Sequence, residues 1–487
     1  MGNFIVGHLA SFRAVLLLTF YKFYDIMISQ FIESQIIAAL GSDCVFKDVE
    51  TLDKHSSDQS KNIFYQPEIV VKPRSTEGVS RLFKICNEYQ IPVTVQGGLS
   101  GLTGAALPIS GGIALSMERF DKILNIDEAN FQVTVESGVI TEHLQNVLKD
   151  KGLFYPPDPQ GRGWSFIGGN VNTNAGGPKC VKYGVTRDYV LNLEIVLPSG
   201  EVMWTGANTL KNSTGYNLTQ LIVGSEGTLA VVTKIVLKLL PLPPFNLLMV
   251  ASFPDAEDAC SAVAAIFQAG VVPSGLEYME HAVVAYSARY LGVEPLSKDH
   301  DAYLLIEVDG TNLDVLHKDC ETIATLLQDF KVGDILFADS EAQKNELWKL
   351  RRNAGNAMIT LSKERWGEDT AVPRANLPAQ LRGIRHISKK YNLEIISLGH
   401  LGDGNMHINI MNNEEPTEEW IENAKQAKRE IFELTKSLNG ILSAEHGVGI
   451  TQTEYLDVFF SETHRKILRG IKKVFDPNGI LNPNKWA

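Results

Sequence analysis

Apolar and polar positions in the first half of the chain alternate between strand-like runs and helical spacing. Residues 67–98 predict a strand, a turn, a helix and a second strand, because the apolar residues of TEGVSRLFKICNEY recur at helical spacing and Pro92 opens the next apolar run. The pattern then predicts strands at 112–117 and 131–137, a helix at 141–150 and a hairpin within LNLEIVLPSGEVMW. A Gly-, Asn- and Pro-rich stretch, 155–178, interrupts this series and is typical of a loop.

The pattern changes after Pro241, Pro243 and Pro244, where a long apolar run ends. We therefore expect a domain boundary near residue 244. Beyond it, helical periodicity alternates with short apolar runs. Helices are predicted at 256–268, 340–364, 378–391, 418–438 and 462–474, and strands at 246–252, 302–308, 394–400 and 406–411. This order of elements is that of an α+β domain and not of a regular βαβ series.

Length and composition limit the classes of protein to which the chain can belong. A chain of 487 residues predicts two or three domains, and 44% hydrophobic with 21% charged residues is ordinary globular composition. The formal net charge of -12 disfavours general binding to nucleic acid. The five scattered cysteines contain no CxxC motif, which argues against a disulfide framework or a zinc ribbon and favours a reducing compartment.

The first 26 residues have two alternative interpretations. They carry Arg13 and Lys22 and no acidic residue before Asp25, and their apolar run Ala14–Tyr21 is only eight residues long. A bilayer crossing needs ~20 such residues. The segment is therefore either a transit-like or interfacial helix, or it precedes the real start at Met27. The expected location is cytoplasmic, with peripheral membrane contact or, for a transit segment, the mitochondrial matrix as alternatives.

Three separate glycine-rich loops lie in the first half of the chain. The first, PVTVQGGLSGLTGAALP, places Gly97, Gly98, Gly101 and Gly104 directly after a strand. Glycines allow backbone N–H groups to approach a phosphate closely, although neither the GxGxxG fingerprint nor a Walker loop is present. IGGNVNTNAGG and VGSEGT form the second and third loops. Three such loops favour binding of an extended dinucleotide over turn formation alone.

The same region resembles a known group of flavoproteins. GGNVNTNAGGPKCVKYGVTRDYVLNLEIVLPSG and LKNSTGYNLTQLIVGSEGTLAVVT look like the FAD domain of the vanillyl-alcohol-oxidase superfamily. More narrowly, the chain is similar to the FAD-linked 2-hydroxyacid dehydrogenases, which include the glycolate oxidase flavin subunit, D-lactate dehydrogenase and D-2-hydroxyglutarate dehydrogenase. HLGDGNMH, SAEHGVG and FDPNGILNPNK match the same group, so the resemblance extends from about Pro67 to the end.

The resemblance implies an α+β fold with a two-lobed FAD-binding domain of the vanillyl-alcohol-oxidase type. An α+β substrate, or cap, domain follows it, and a C-terminal segment returns to the FAD site. The expected divisions are an uncertain extension at 1–26, a helical segment at 27–66, the FAD-binding domain at 67–243, the cap domain with a metal-binding hairpin at 244–440 and the closing segment at 441–487.

The family's FAD contacts can be placed on this sequence. The loop Gly97–Gly104 would hold the pyrophosphate. Covalent members of the family tether the flavin through a histidine or a cysteine. This loop contains neither residue, so FAD is expected to be non-covalent. The expected cofactor residues are Gly97, Gly98, Ser100, Gly101, Thr103, Gly104, Pro157, Gly168, Gly169, Asn174, Gly177, Gly184, Glu226, Gly227 and Asn482.

The stretch LGHLGDGNMHIN indicates a metal site. Two apolar runs flank a turn-rich LGDGN, which predicts a hairpin in which His400 and His407 face each other across the ladder, with Asn409 on the same face. Two histidines beside a turn can also simply bond to backbone, and a metal needs a third ligand. SAEHGVG offers Glu445 and His446 side by side. The resemblance implies His400, His407 and Glu445 as ligands of a divalent metal, commonly zinc.

Oxidation of a 2-hydroxy acid needs a base for the hydroxyl proton, a hydride acceptor and a clamp for the carboxylate. Histidine titrates near neutral pH, and His446 has the position of the family's base. An arginine fork matches a carboxylate, and the family pattern selects Arg351 in LWKLRRNAGNAM, with Arg374 as a weaker candidate and Asn409 as a further substrate contact. Each arginine could instead be a surface residue of a helix.

The charges near the expected substrate site bear on the choice between mono- and dicarboxylic substrates. In D-2-hydroxyglutarate dehydrogenases a threonine and a lysine hold the distal carboxylate, but here Gly355 or Asn356 and Gly367 stand near those places. Glu368 and Asp369 add negative charge, so a small monocarboxylic acid, D-lactate or glycolate, is favoured, with 2-hydroxyglutarate as the alternative. No NAD fingerprint is present, which leaves a quinone, a cytochrome, an electron-transfer flavoprotein or an iron–sulfur subunit as acceptor. A homodimer is one option for the oligomeric state.

Two rival hypotheses remain. A zinc hydrolase built on the hairpin histidines and Glu445 would leave the glycine-rich loops without a purpose. A non-catalytic flavin subunit would not need Arg351 together with the Glu445–His446 pair.

Overall fold

The computed structural model describes residues 28–60, 63–296 and 299–486. The alternatives for the first 26 residues, and Met27, lie outside this part of the chain. The described residues form a small mixed sheet, an antiparallel five-stranded sheet, a two-stranded ladder and an antiparallel seven-stranded sheet. None of the described helices combines the length and apolar character that a bilayer crossing requires.

The first sheet is built from short buried strands in the order β1-β2-β4-β3, with β2 and β3 parallel to β4. Helix α3 begins after Ser75, whose hydroxyl accepts from the N–H of Gly78, and buries Val79, Leu82 and Phe83 against the sheet. The elements are α1 (Gln30–Leu40), β1 (Val45–Phe46), α2 (Val49–Lys54), β2 (Ile69–Val71), α3 (Thr76–Tyr89), β3 (Val93–Gln96) and β4 (Ile113–Ser116).

The second sheet has the order β5-β6-β10-β8-β9 and is antiparallel throughout. Its strands are β5 (Ile123–Asp127), β6 (Gln132–Glu136), β8 (Val190–Val196), β9 (Val202–Trp204) and β10 (Val231–Lys238). The short strands β7 (Leu153–Phe154) and β11 (Leu240–Pro241) pair beside it. The accompanying helices are α4 (Thr141–Lys149), α5 (Ile167–Thr173), α6 (Cys180–Tyr183) and α7 (Leu218–Ile222).

The seven-stranded sheet has the order β15-β12-β14-β13-β17-β18-β16. Its strands are β12 (Phe245–Phe253), β13 (Gly275–Glu280), β14 (Ala302–Gly310), β15 (Ile335–Phe337), β16 (Glu364–Ala371), β17 (Glu394–Gly399) and β18 (Asn405–Asn412). Because neighbouring residues of a strand point to opposite faces, Met249 packs into one core and Leu248 into another. Helices therefore cover both faces of this sheet.

The helices of one face are α8 (Ala256–Gln268), α10 (Leu313–Leu327), α13 (Leu377–Tyr391) and α14 (Glu418–Ser437). Those of the other face are α9 (His281–Leu291), α11 (Glu341–Arg352) and α12 (Ala354–Leu361). The chain then returns to the N-terminal region through α15 (Leu456–Phe459) and α16 (Glu462–Phe475). Leu481 bridges Val93 beside β3, and the Lys472 ammonium donates to the carbonyls of Thr228 and Leu481.

Buried ion pairs join the two halves of the chain next to the cavity described below. The Lys179 ammonium lies 2.5 Å from Glu307 on β14, and Lys182 lies 2.7 Å from Asp309 on the same strand. The indole of Trp348 also donates to Glu307, at 2.9 Å. Such pairs fix orientation more than they add stability, so the segment after the second glycine-rich loop is held in register with the seven-stranded sheet.

The structure corrects several elements expected from the sequence. The helix expected at 340–364 is two helices, α11 and α12, followed by strand β16 from Glu364. The stretch 155–178, expected as a loop, contains helix α5, whose glycines and asparagines concealed it. The sequence pattern also missed β13, α9 and α10. The other helices predicted beyond residue 244 end within one residue of their predicted limits.

Candidate functional site

A cavity of about 630 Å³ lies between the glycine-rich loops, the seven-stranded sheet and the returning C-terminal segment. Its volume is in the range of cofactor and ligand sites. Residues from all three glycine-rich loops line it. Of the expected cofactor residues, Gly97, Gly98, Ser100, Gly101, Thr103, Gly168, Gly169, Glu226 and Gly227 are on its wall. His407, Glu445 and His446 line the same cavity.

Glycine is required at two of these positions by close approach of other backbone. A Cβ at Gly98 would lie 2.1 Å from the carbonyl oxygen of Trp164. A Cβ at Gly168 would lie 2.6 Å from the Cβ of Ser137. The glycines therefore allow the backbone of these loops to approach neighbouring segments closely at these two positions.

We expect Gly98→Ala to impair FAD binding, because the backbone atom that the new Cβ meets cannot move independently. Overpacking of this kind costs about 1–3 kcal/mol, so the bound flavin per purified chain should fall at least several-fold. Gly470→Ala is the matched control, because nothing lies within 4 Å of its added Cβ. Equal flavin content in the two variants, measured by absorbance, would contradict this role of Gly98.

The other six expected cofactor residues lie behind the lining. The Asn482 amide donates to the carbonyl of Glu226 at 2.8 Å and accepts from the N–H of Val95 at 3.1 Å. Gly104 accepts from the Lys485 ammonium through its carbonyl. The Pro157 carbonyl accepts from Gln145 on α4, and the Asn174 side chain accepts from the N–H of Arg187. Gly177 lies against Asp158 and Gly184 against Asp188. The positions of these six residues indicate that they support the glycine-rich loops and do not line the cavity.

Glu226 joins the third glycine-rich loop to the C-terminal segment. Its carboxylate accepts from the N–H groups of Val448 and Gly449, at 2.8 and 2.7 Å. Burial raises the pKa of this carboxyl, and the two N–H bonds counteract the rise. The segment that carries Glu445 and His446 is therefore attached directly to the wall of the cavity.

His400, His407 and Glu445 converge on one point. One nitrogen of each imidazole and one oxygen of the carboxylate all lie within 4.8 Å of one another. Glu445 Oε1 is 3.3 Å from His400 Nε2 and 3.6 Å from His407 Nε2. The three groups could hold a divalent cation.

The convergence does not arise from the expected hairpin register. His407 pairs with Leu398 across the ladder, and His400 lies beyond the end of β17, where the turn begins. The chain bends there into a short 3₁₀ turn, which swings the His400 ring to 5.3 Å from that of His407, between centroids. The expectation that the two histidines face each other directly was therefore wrong in register, although they do come together.

Glu277 on β13 is a site residue that the sequence pattern missed. The His400 Nδ1–H donates to its carboxylate at 2.7 Å, which turns Nε2 toward Glu445. Burial alone would lower the pKa of His400, but the carboxylates of Glu277 and Glu445 raise it to about 10. A carboxylate behind a histidine is the usual support of a metal ligand. No local sequence motif marks Glu277, because strand β13 becomes apparent only from its pairing with β14 and β17.

Asp369 on β16 anchors the Glu445–His446 segment. Its carboxylate accepts from the N–H groups of Glu445 and His446, both at 2.8 Å, and from Ala444 at 3.0 Å. Burial would raise its pKa, but the neighbouring imidazoles of His446 and His407 and these N–H groups hold the pKa well below its usual range. Asp369 therefore fixes the backbone from which the side chains of Glu445 and His446 project.

His446 projects into the cavity above His407. Their rings stack with centroids 5.0 Å apart and an interplanar angle of 17°. His446 Nδ1 lies 3.8 Å from Asp369, and its side chain is 25% exposed. It is thus accessible from the cavity and held by two neighbours, an arrangement that suits a proton acceptor.

The two expected substrate arginines are placed differently. Arg351 is buried in a separate cavity of about 30 Å³, where His400 and Glu277 also lie. Its Nη2 forms an ion pair with Glu277 at 2.7 Å, and its Nε lacks an acceptor among the described residues. Arg374 donates to the carbonyl of Gly402 at 2.5 Å and lies over the Phe267 ring at 3.9 Å. It is outside both cavities.

Comparison with known proteins identifies the family. Residues 242–486 match the family described as FAD linked oxidases, C-terminal domain, and residues 67–206 match the one described as FAD binding domain. The chain therefore belongs to the FAD-linked oxidases and carries their FAD-binding domain. The resemblance noted in the sequence is confirmed.

Relatives with established names cover almost the whole chain. The glycolate oxidase subunit GlcD of Bacillus subtilis is 35% identical over 94% of this chain and 97% of its own length. D-lactate dehydrogenase of Anaerostipes hadrus is 36% identical over 86% and 89%, respectively. D-2-hydroxyglutarate dehydrogenase of Stutzerimonas stutzeri is 32% identical over 91% and 95%.

Solved structures confirm the fold. p-Cresol methylhydroxylase matches with a TM-score of 0.77 at 19% identity, over 93% of this chain and 96% of its own. Alkyldihydroxyacetonephosphate synthase matches with a TM-score of 0.72 at 20% identity, over 94% and 85%. The predicted α+β fold with an FAD-binding domain and a C-terminal oxidase domain is therefore confirmed.

Proposed function

We propose that the protein oxidises a 2-hydroxy acid to the 2-oxo acid with FAD as the hydride acceptor. One observation carries the proposal: His407, Glu445 and His446 line the same cavity as the glycine-rich loops. D-lactate or glycolate is the first candidate substrate, in keeping with two of the relatives named above. A 2-hydroxyglutarate-type acid is the second candidate.

The site residues have separate roles in this reaction. Bound FAD supplies N5 as the acceptor of the hydride from C2. His446 takes the hydroxyl proton, and its stacking on His407 and contact with Asp369 hold the ring while the charge develops. Glu226 and Asp369 keep the His446 segment attached to the cavity wall.

A divalent metal, zinc in the first instance, completes the proposal, with His400, His407 and Glu445 as ligands. Such an ion would lower the pKa of the substrate hydroxyl and fix its position. The charges of these residues suit a divalent cation. Burial would raise the pKa of Glu445, but His400 and His407 lower it to about 2, so the ligand is an anion at neutral pH. Glu277 and Asp369 add two more buried carboxylates next to the histidines, which together favour a cation.

Arg351 is proposed to receive the C1 carboxylate of the substrate, with Arg374 as the weaker alternative. Asn409 was expected as a further contact, but its side chain is fully buried and accepts from Arg365 Nε. The Nε of Arg351 has no acceptor among the described residues, and Glu277 connects it to His400. An unsatisfied buried donor favours a ligand group as its partner.

The proposal extends to the attachment of FAD, the electron acceptor, the oligomeric state and the location of the protein. FAD is held non-covalently, since residues 97–104 contain neither histidine nor cysteine. Electrons then pass to a quinone, a cytochrome, an electron-transfer flavoprotein or an iron–sulfur subunit. Peripheral membrane contact, a homodimer and a cytoplasmic or mitochondrial location all stay open predictions.

An anaerobic flavin-reduction screen tests the proposed function. D- and L-lactate, glycolate, malate and 2-hydroxyglutarate are each mixed with the yellow holoprotein. We expect at least one to bleach the flavin absorbance within seconds. A folded, colourless protein would instead favour the zinc hydrolase, and a yellow protein that none of these acids bleaches would favour a non-catalytic flavin subunit.

A further inference from the structure

Arg365 on β16 lies on the wall of the large cavity and carries a charge that the proposed mechanism does not use. Its Nε donates to Asn409 Oδ1 at 2.7 Å, which fixes the direction of the side chain. No carboxylate among the described residues forms an ion pair with it, in contrast to Arg351. Burial lowers the pKa of Arg365 to about 10, so the guanidinium remains cationic at neutral pH.

Gly367 provides the space into which this guanidinium reaches. A Cβ at Gly367 would lie 2.5 Å from Arg365 Nη2. Across the ladder Gly367 pairs with Asn409, and the next same-face pair is Asp369 with His407. The guanidinium therefore lies one same-face pair from His407, about 7 Å along the strand.

Two acidic neighbours of Arg365 on β16, Glu368 and Asp369, are already compensated by other groups of the protein. Glu368 points to the opposite face of the strand, where the Lys428 ammonium lies 2.9 Å away and the Gln452 amide donates to it at 2.6 Å. Asp369 accepts three backbone N–H groups. The negative charge that argued from sequence against a second substrate carboxylate is therefore compensated within the protein.

We propose that Arg365, oriented by Asn409 and admitted by Gly367, binds a second carboxylate of the substrate. The substrate class is then a four- or five-carbon 2-hydroxy dicarboxylic acid. This inference rests on the proposed function, and it gives the second candidate substrate a structural basis.

Arg351 is already proposed for the carboxylate at C1, which leaves Arg365 for the second carboxylate of such a molecule. A hydroxyl held near His407 places C1 within two bonds of the hydroxyl oxygen. In a four- or five-carbon acid, the two or three carbons beyond C2 at about 1.5 Å per bond, and a charge-assisted hydrogen bond of about 2.8 Å, span the ~7 Å to the guanidinium. With C1 at Arg351, a monocarboxylate such as lactate has no second carboxylate to offer Arg365.

The test compares D-malate and D-2-hydroxyglutarate with D-lactate in the FAD-loaded Arg365→Gln protein. A lost hydrogen-bonded charge corresponds to a roughly 10- to 100-fold loss. We expect kcat/KM for the better dicarboxylate to fall by that factor and kcat/KM for D-lactate to change less than threefold. Arg382→Gln is the control, since Arg382 is an exposed arginine paired with Glu257. An equal fall for all three substrates, or no fall, would overturn the proposal.

Gly367→Ala supplies a second test that keeps the arginine. The added Cβ displaces the guanidinium, so the preference for the dicarboxylate should fall in the same direction as in Arg365→Gln. An unchanged preference in both variants, with normal flavin content, would also overturn the proposal.

Binding of glutarate and butyrate, two acids without a hydroxyl, separates this inference from the proposed function. Calorimetry on the holoprotein should show tighter binding of glutarate, and Arg365→Gln should abolish the difference. If no hydroxy acid bleaches the flavin but the glutarate preference depends on Arg365, the proposed oxidation fails while the anion site stands. If bleaching occurs and the glutarate preference is absent, the anion site fails alone.

Discussion

His446→Gln is expected to keep its FAD and to lose most substrate-driven flavin reduction. A positioned general base contributes roughly 10²- to 10⁴-fold to a rate, and glutamine cannot take the proton that the imidazole takes. Flavin content should stay normal, because His446 touches Asp369 and His407 and the neighbouring backbone carries the attachment to Glu226. Stopped-flow bleaching at saturating substrate measures the loss directly.

His464→Gln is the matched control for this experiment. His464 is an exposed histidine on α16 whose ring bonds to the Ser461 hydroxyl at 3.0 Å, away from the cavity. It should bleach at the wild-type rate. Near-normal bleaching in His446→Gln would remove His446 from the role of base, and loss of flavin in that variant would show a structural role instead.

Much of the site was predictable because its residues lie in short local motifs. LGHLGDGNMHIN and SAEHGVG identify His400, His407, Glu445 and His446 without knowledge of the fold, and the structure brings all four together. The glycine-rich loops are local in the same way, since each glycine marks a place where backbone must approach other atoms. Nine of the fifteen expected cofactor residues line the cavity, and six of the nine are glycines of these loops.

The residues that the sequence did not reveal act through long-range pairing. Glu277 supports His400 only because β13 lies next to β17, and the two are separated by more than a hundred residues. Arg365 directly follows the helix expected at 340–364, and no local motif singled it out. Its relation to Asn409 requires the β16–β18 register, which no local pattern specifies.

Glu445→Gln and His400→Ala are each expected to lower the metal content and the turnover of the protein together. A Lewis-acidic ion contributes several kcal/mol to such a step, and each 1.36 kcal/mol is a factor of ten, so kcat should fall by at least about 10²-fold. Elemental analysis of the purified variants measures the metal, and Glu433→Gln serves as control because this carboxylate is exposed on α14. Unchanged metal content in both ligand variants would contradict the three-ligand site.

Glu277→Gln distinguishes a ligand from a residue that supports one. Because Glu277 touches His400 Nδ1 and not the converging Nε2, its loss should weaken metal binding by about 10- to 100-fold without removing a ligand. The metal content of Glu277→Gln should therefore recover when excess zinc is added, whereas that of Glu445→Gln should not. Recovery of both variants, or of neither, would show that the two carboxylates do not have these separate roles, and a wild-type protein that keeps full activity after chelation would show that the reaction needs no metal.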